Sequence, residues 1–375
     1  MMNEVSIVGG GLGGLTLARI LQKHGVPAVV YEREATPNER SQGGSLDIHM
    51  ESGQFALREA GLLDGFHRLA RPEDQEMKIF DPSGRIWWED AGIDERSGRP
   101  EIDRGLLRKL LLDSLAPDTV RWGYQVRKAD QLEEGKYRLE FTNGESAQTS
   151  FLVGADGAWS RVRPLLSAEQ PVYTGVTLLE MNLPNIDAGH PDLALLVGHG
   201  KMFALGDEKG ILAQRNGDSQ VRVGAALRVP LSWPEEVGIT AANPSESREI
   251  LLRQFDGWSP GFRALLQRAD PEMRIWNLHA LPTGHRWAHR PGITLLGDAA
   301  HLMSPFAGEG ANLAMQDAAE LALALTTGQE NEIAAYESTM FDRAQIAAHV
   351  SDFNLKLALH PEGARLLSEQ MANYK

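Results

Sequence analysis

The tightest constraint on the fold of this chain lies between residues 5 and 32, where an apolar stretch, a glycine-spaced turn, an amphipathic stretch and a second apolar stretch follow in series. Val5-Ser6-Ile7-Val8 reads as a short buried strand, and Gly9-x-Gly11-x-x-Gly14 as a tight turn opening a helix. Leu12, Leu15, Leu17, Ala18, Ile20 and Leu21 supply the apolar side of that helix, Gly25 marks its stop, and Pro27 to Tyr31 resumes as a strand. A β-α-β unit of this kind requires a parallel sheet and a right-handed crossover. It also has the parts of a dinucleotide pyrophosphate site. Gly9 makes the turn, Gly11 lets backbone approach phosphates, and Gly14 allows close helix–strand packing. Glu32 lies 21 residues after Gly11, where a carboxylate can accept hydrogen bonds from an adenosine ribose. Arg33 beside it is a further candidate contact. A plain tight connection and an ordinary strand-end acid would carry the same residues.

Composition narrows the chemistry. The 375 residues include no Cys, which excludes disulfides, cysteine-ligated metals and thiol catalysis, so any redox step needs a cofactor. The 37 Lys+Arg against 51 Asp+Glu leave a net charge of −14, which opposes broad binding to a nucleic-acid backbone. Neither a signal peptide nor a membrane span is readable, and the expectation is a cytoplasmic monomer. The 11 His are dispersed, with no metal spacing.

Further along, Glu51 to Ala60 reads as a helix. Asp103 is placed to cap another, with Leu106, Leu107, Leu110, Leu111 and Leu115 on its apolar side. Met77–Phe80 and Arg85–Trp88 flank a turn at Asp81-Pro82-Ser83-Gly84; Tyr137–Phe141 and Gln148–Val153 flank Asn143-Gly144. Short strands and turns fill Val172 to Ile275, with helices at Ser245–Phe255 and Phe262–Arg268. Two long helices, Ala311–Leu325 and Glu332–Leu359, follow. The expected class is α/β: a Rossmann-like domain (1–75, 100–172, 275–325), a β-rich substrate domain (76–99, 173–274) and a terminal helix (326–375) bridging them.

Two further segments discriminate among dinucleotides: Leu152 to Arg163, containing Gly154-Ala155-Asp156-Gly157, and Leu295 to Asn312, containing Gly297-Asp298-Ala299-Ala300-His301 and Pro305-Phe306-Ala307-Gly308-Glu309-Gly310-Ala311-Asn312. With the N-terminal turn, these three spaced motifs resemble the group A flavoprotein monooxygenases, the family of para-hydroxybenzoate hydroxylase. The resemblance implies FAD as cofactor. Asp298 would meet its ribityl chain, and Pro305, Gly308, Gly310, Ala311 and Asn312 would form the loop and helix start at the flavin pyrimidine edge. Asp156 would belong to the fingerprint linked to both FAD and pyridine nucleotide. Glu309 stands where a glutamine is common, its side chain read as uncommitted. NAD(P)H, with NADPH favoured, would approach transiently, since no second Gly-x-Gly-x-x-Gly occurs. O2 would be activated on the flavin and one oxygen atom delivered from its C4a position, with no protein nucleophile.

The N-terminal third looks closer still to the tetracycline-inactivating branch. Arg40-Ser41-Gln42-Gly43-Gly44-Ser45-Leu46-Asp47-Ile48-His49 resembles that branch's run, which assigns Arg40 to NADPH and Asp47 to FAD; Pro100-Glu101-Ile102-Asp103-Arg104 assigns Arg104 to FAD. A solvated loop charge for Arg40 and a local ion pair for Arg104 stay open. In the substrate domain the likeness fades. Glu180 falls at that branch's drug-binding glutamine, Arg222 near its histidine and Lys201 near its arginine, and Phe306 joins them as a substrate candidate. The implied activity is hydroxylation of an aromatic or polyketide-like small molecule, tetracyclines among the candidates. A reductase of the same fold without oxygen transfer, or a non-catalytic flavoprotein, remains as an alternative.

Overall fold

The computed structural model describes residues 4–39, 43–71, 75–91, 98–133, 135–240 and 242–373. Arg40 lies outside them. The chain divides into two compact units, the first built from residues 1–70, 104–172 and 279–351, the second from 71–103, 173–278 and 352–375. Residues 71–75, 100–103 and 275–278 therefore fall in the β-rich unit rather than with the nucleotide-binding segments.

In the first unit, five parallel strands run in the order Ile293–Leu295, Leu152–Gly154, Val5–Val8, Ala28–Glu32, Val120–Trp122. The central strand is buried at every position, as a parallel sheet covered on both faces requires. Helix Leu12–Lys23 packs beside helices Gly310–Thr327 and Arg104–Asp113. An antiparallel sheet of Val126–Glu133, Lys136–Phe141 and Ser146–Thr149 is appended. The strand expected to run from Gln148 to Val153 is thus two, because Leu152–Gly154 leaves the hairpin to join the parallel sheet. Leu106 is exposed. Helix Arg104–Asp113 instead buries Leu107, Arg108 and Leu111.

In the second unit, seven strands run in the order Arg274–Ala280, Val172–Leu183, Gln220–Arg228, Lys209–Asn216, Gly200–Gly206, Glu76–Phe80, Ile86–Asp90. The strands are longer than the sequence pattern predicted, Val172–Leu183 reaching 12 residues, since its inward Leu179, Met181 and Leu183 keep an unbroken period of two. Those residues meet Val221, Val223, Ala225, Ile211, Ala213 and Met202 from neighbouring strands and Leu251, Phe255, Phe262 and Leu265 from helices Pro244–Gln254 and Pro260–Arg268. Asp103 is not free to cap: its carboxylate accepts from Arg71 at 2.8 Å and from the Gly217 amide at 3.2 Å. The terminal segment is two helices, Glu330–Ala358 and Gly363–Ala372, broken around Pro361, whose ring and missing N–H cannot continue a helix.

Candidate functional site

Glycine sets the geometry of the first unit's site. A Cβ on Gly14 would lie 2.0 Å from the Gly9 carbonyl oxygen, and one on Gly9, where φ is +111°, would lie 2.3 Å from that of Ala155. Both obstacles are backbone, so neither position admits a side chain. Over Gly11, by contrast, nothing stands within 4 Å, and no side chain caps helix Leu12–Lys23. The Leu12 side chain is buried in the core, which leaves only its amide at the helix start to face a ligand. At Gly13 a Cβ would meet the Ala314 oxygen at 2.9 Å, and this brings in helix Gly310–Thr327, which also lacks a side-chain cap. Two helix starts, each with about half a positive charge and first-turn N–H groups, thus lie near each other, an arrangement that favours negative charge.

Glu32 is buried and holds the turn in place. One carboxylate oxygen accepts the Gly10 amide at 2.5 Å and the other the Glu34 amide at 3.0 Å. Arg33 is exposed beside it. Behind the same turn stands Arg108, absent from the sequence-based candidates. It donates from Nε to the Gly10 oxygen at 3.2 Å, from Nη1 to Pro37 at 2.9 Å and from Nη2 to the buried Glu34 carboxylate at 2.9 Å. Its signal in the sequence is an arginine flanked by Leu107 and Leu111 on the buried side of a helix.

Asp298 opens helix Asp298–His301 after Gly297. It is open to solvent on one side while protein surrounds the rest, and that burial pushes its carboxyl above the usual range against the pull of His301 and Arg104. A Cβ on Gly310 would lie 3.9 Å from its Oδ1, which places the acid at the second helix N-terminus. One turn on, His301 pairs with the fully buried Asp317 at 2.6 Å, and Asp317 also accepts from Arg343 at 2.8 Å and the Gly297 amide at 3.0 Å. Burial works against both charges, yet the attraction between them outweighs it: His301 is raised and Asp317 lowered.

Asp47 and Gly308 are neighbours, a Cβ on Gly308 falling 3.8 Å from the Asp47 carboxylate. Asn312 is fully buried and serves the fold, its Oδ1 accepting the His49 amide and its Nδ2 donating to the Asp47 oxygen, both at 2.9 Å. The Glu309 side chain, read as uncommitted, in fact faces His49 Nδ1 at 3.5 Å, and His49 Nε2 faces Asp47 at 3.4 Å. Ala311 is half-buried in the helix's first turn, Pro305 is exposed and Phe306 half-buried. Arg104 opens its helix with its amide on the Gly44 oxygen at 3.0 Å. Asp156 gives one oxygen to the Arg161 amide at 2.6 Å, while its buried Oδ1 has no partner among the described residues. Burial raises its carboxyl as well. The buried Arg163 donates to Ala158 and Ala299, joining this segment to the Asp298 helix.

These features fit an anionic dinucleotide. Room over Gly11 lies at an uncapped helix start, the accessible Asp298 carboxylate can accept from hydroxyls, and the buried Asp156 Oδ1 is without a donor among the described residues. Residues 2–353 match the family model described as FAD binding domain. The chain belongs to this family of FAD-dependent monooxygenases. Monooxygenase asqM of Emericella nidulans is 32% identical across 99% of this chain and 98% of its own. HpxO of Klebsiella pneumoniae, solved with FAD and uric acid, superposes with a TM-score of 0.81 at 23% identity over 99% of this chain and 92% of that one. The tetracycline destructase Tet(51) gives a TM-score of 0.71 at 18% identity over 100% of this chain and 95% of that one. The special closeness expected to the tetracycline-inactivating branch is therefore corrected to a distant likeness of fold.

In the second unit, Glu180, Arg222 and Lys201 all lie on the sheet face away from its core. Arg222 pairs with Glu180 at 3.2 Å and Lys201 with Glu101 at 3.0 Å, so Glu180 is not an unpaired acid. Among the described residues no group of three or more His, Asp or Glu side chains is placed to hold a metal, and no helix is long and apolar enough to cross a membrane.

Proposed function

We propose that this monooxygenase uses NAD(P)H, with NADPH favoured, and O2 to hydroxylate an aromatic or polyketide-like small molecule. The observation that carries the reading is the open Asp298 carboxylate beside Gly310, at the uncapped start of helix Gly310–Thr327. FAD, when bound, supplies hydride acceptance from the nicotinamide and delivery of one oxygen atom to the substrate.

The chain's residues do the rest. The start of helix Leu12–Lys23, with the space over Gly11, would take the pyrophosphate charge, and Glu32 would fix the turn while offering its oxygens to the ribose. Asp298 would accept from ribityl hydroxyls. The dipole of helix Gly310–Thr327 would stabilise negative charge on the reduced flavin's pyrimidine edge. Arg104 adds positive potential in a chain whose −14 charge repels anionic NAD(P)H. Asp47 and Asp156 would be further cofactor contacts, the latter through its unpartnered Oδ1.

The deciding experiment is turnover under labelled dioxygen with NADPH and a panel of phenols, polycyclic quinones and tetracyclines. A product bearing one atom from O2 is expected. NADPH oxidation that yields a product with no labelled oxygen would replace the hydroxylase reading with that of a reductase.

A further inference from the structure

Strand register places two rungs of side chains on the non-core face of the second unit's sheet. One rung reads Asn182, Arg222, Gln214, Lys201, Met77, Asp90 across six strands. The next reads Glu180, Gly224, Leu212, Phe203, Ile79, Trp88. The first is polar but for Met77, and the second is apolar but for its terminal acid. Adjacent rungs on one face lie about 7 Å apart, close to the length of two fused aromatic rings. Over Gly224 the Leu178 side chain takes the place in the apolar rung, its Cδ1 lying 2.8 Å from where a Cβ would stand. On this face Leu178, Glu180, Arg222, Leu212 and Phe203 are half-buried and Gly224 is buried, as the wall of a ligand site would be.

Charge on this face is internally balanced. Arg222 reaches diagonally to Glu180 at 3.2 Å, and Lys201 to the buried Glu101 at 3.0 Å, with the Gln214 amide donating to the same acid at 3.3 Å. An anionic ligand would have to displace a carboxylate already in place, and the −14 net charge opposes its approach. A neutral ligand meets no such competition. It can lay its rings on Leu212 and Phe203, accept from Arg222 or Asn182 and donate to Glu180.

We propose that the Arg222–Glu180 pair makes this face selective for uncharged fused-ring aromatics carrying adjacent donor and acceptor groups, and that Glu180 is the residue that excludes carboxylates. This inference rests on the hydroxylase reading above for what becomes of the ligand, while its test reads binding alone.

The test is calorimetric titration of the FAD-loaded protein with an isosteric pair, 3-hydroxy-2-naphthamide and 3-hydroxy-2-naphthoate. The wild type should bind the amide at least tenfold more tightly. Glu180→Gln frees Arg222 and should tighten the carboxylate at least tenfold, and adding Arg222→Gln should cancel that gain. Equal affinities in the wild type, no binding of either ligand, or an equal effect of Glu180→Gln on both would overturn the proposal. Should Glu180→Gln fail to retain FAD and its far-ultraviolet dichroism, Arg222→Gln alone decides. It should keep or widen the preference for the amide, and a gain in naphthoate binding would overturn the assignment. Failure of the hydroxylase reading shows separately, as product without labelled oxygen from a protein that still discriminates the pair.

Discussion

The two units prepare their surfaces by different means. In the first, backbone does the work: Gly9, Gly13 and Gly14 are required by atoms 2.0–2.9 Å from where a side chain would begin, and both helix starts offer amides. In the second, the backbone is a regular sheet, and side chains such as Arg222, Glu180 and Lys201 determine what the surface accepts. A backbone cradle tolerates little change and suits a ligand that is the same throughout a family. A side-chain wall can be rewritten one residue at a time without disturbing the strands beneath.

That contrast predicts a ranking of substitutions. Gly14→Val should have the largest effect: with a backbone oxygen in the way, stability should fall by about 3 kcal/mol or more, and purified protein should lack flavin absorbance. A Gly14→Val protein with normal FAD content would break the comparison at its root.

Asp317→Asn comes next, at about 3 kcal/mol, because it leaves the buried His301 beside a neutral amide, while the half-buried Arg343 keeps Glu320 as a partner. Its effect should depend on pH. Asp317, lowered in the fold, contributes stability above its ordinary 3.8 and loses it as pH falls through the depressed value. His301, raised in the fold, contributes below its ordinary 6.5 and loses it as pH rises through the elevated value. Urea denaturation should therefore show the widest gap between wild type and variant from 3.8 to 6.5, narrowing on either side.

Asp298→Asn should weaken FAD binding by about tenfold to a hundredfold, the worth of one charged hydrogen bond, measured by flavin fluorescence quenching. The unfolding midpoint of the FAD-free protein should not fall, since burial disfavours the charged carboxylate and the amide removes that charge. Asn312→Ala should cost about 2 kcal/mol in thermal unfolding, because it strips partners from the buried His49 amide and the Asp47 oxygen. Smallest of all, Glu180→Gln should shift stability by less than about 1 kcal/mol, its ion pair being partly hydrated. If it destabilised the protein as much as Asp317→Asn, the side-chain wall would be as rigidly built as the cradle.

The same contrast explains what the sequence disclosed. The β-α-β unit, the glycine spacing and the segments around Asp156 and Asp298 were legible because backbone geometry demands particular residues at short, regular intervals. Arg108 was hidden, because its partners lie 71 to 98 positions away and only the folded chain brings them together. Glu309 was misread for the same reason, its neighbour His49 belonging to a distant loop. Leu106 misled in the opposite sense: helical spacing predicted burial, but the helix turns Arg108 inward instead. On the sheet face, the choice of Arg222 and Glu180 follows from ligand chemistry, which no local spacing rule records.

The order of strands in the parallel sheet carries a consequence for how the protein is made. Val5–Val8 is made before the other strands of that sheet yet sits at its middle, beside Leu152–Gly154, which in turn awaits Ile293–Leu295. Helix Gly310–Thr327, which closes against Gly13, and Arg343, which neutralises Asp317, come later still. The β-rich segment 173–278 is synthesised while the cofactor cradle stands half built, so the newborn chain can complete that cradle only once the residues up to Arg343 have been made.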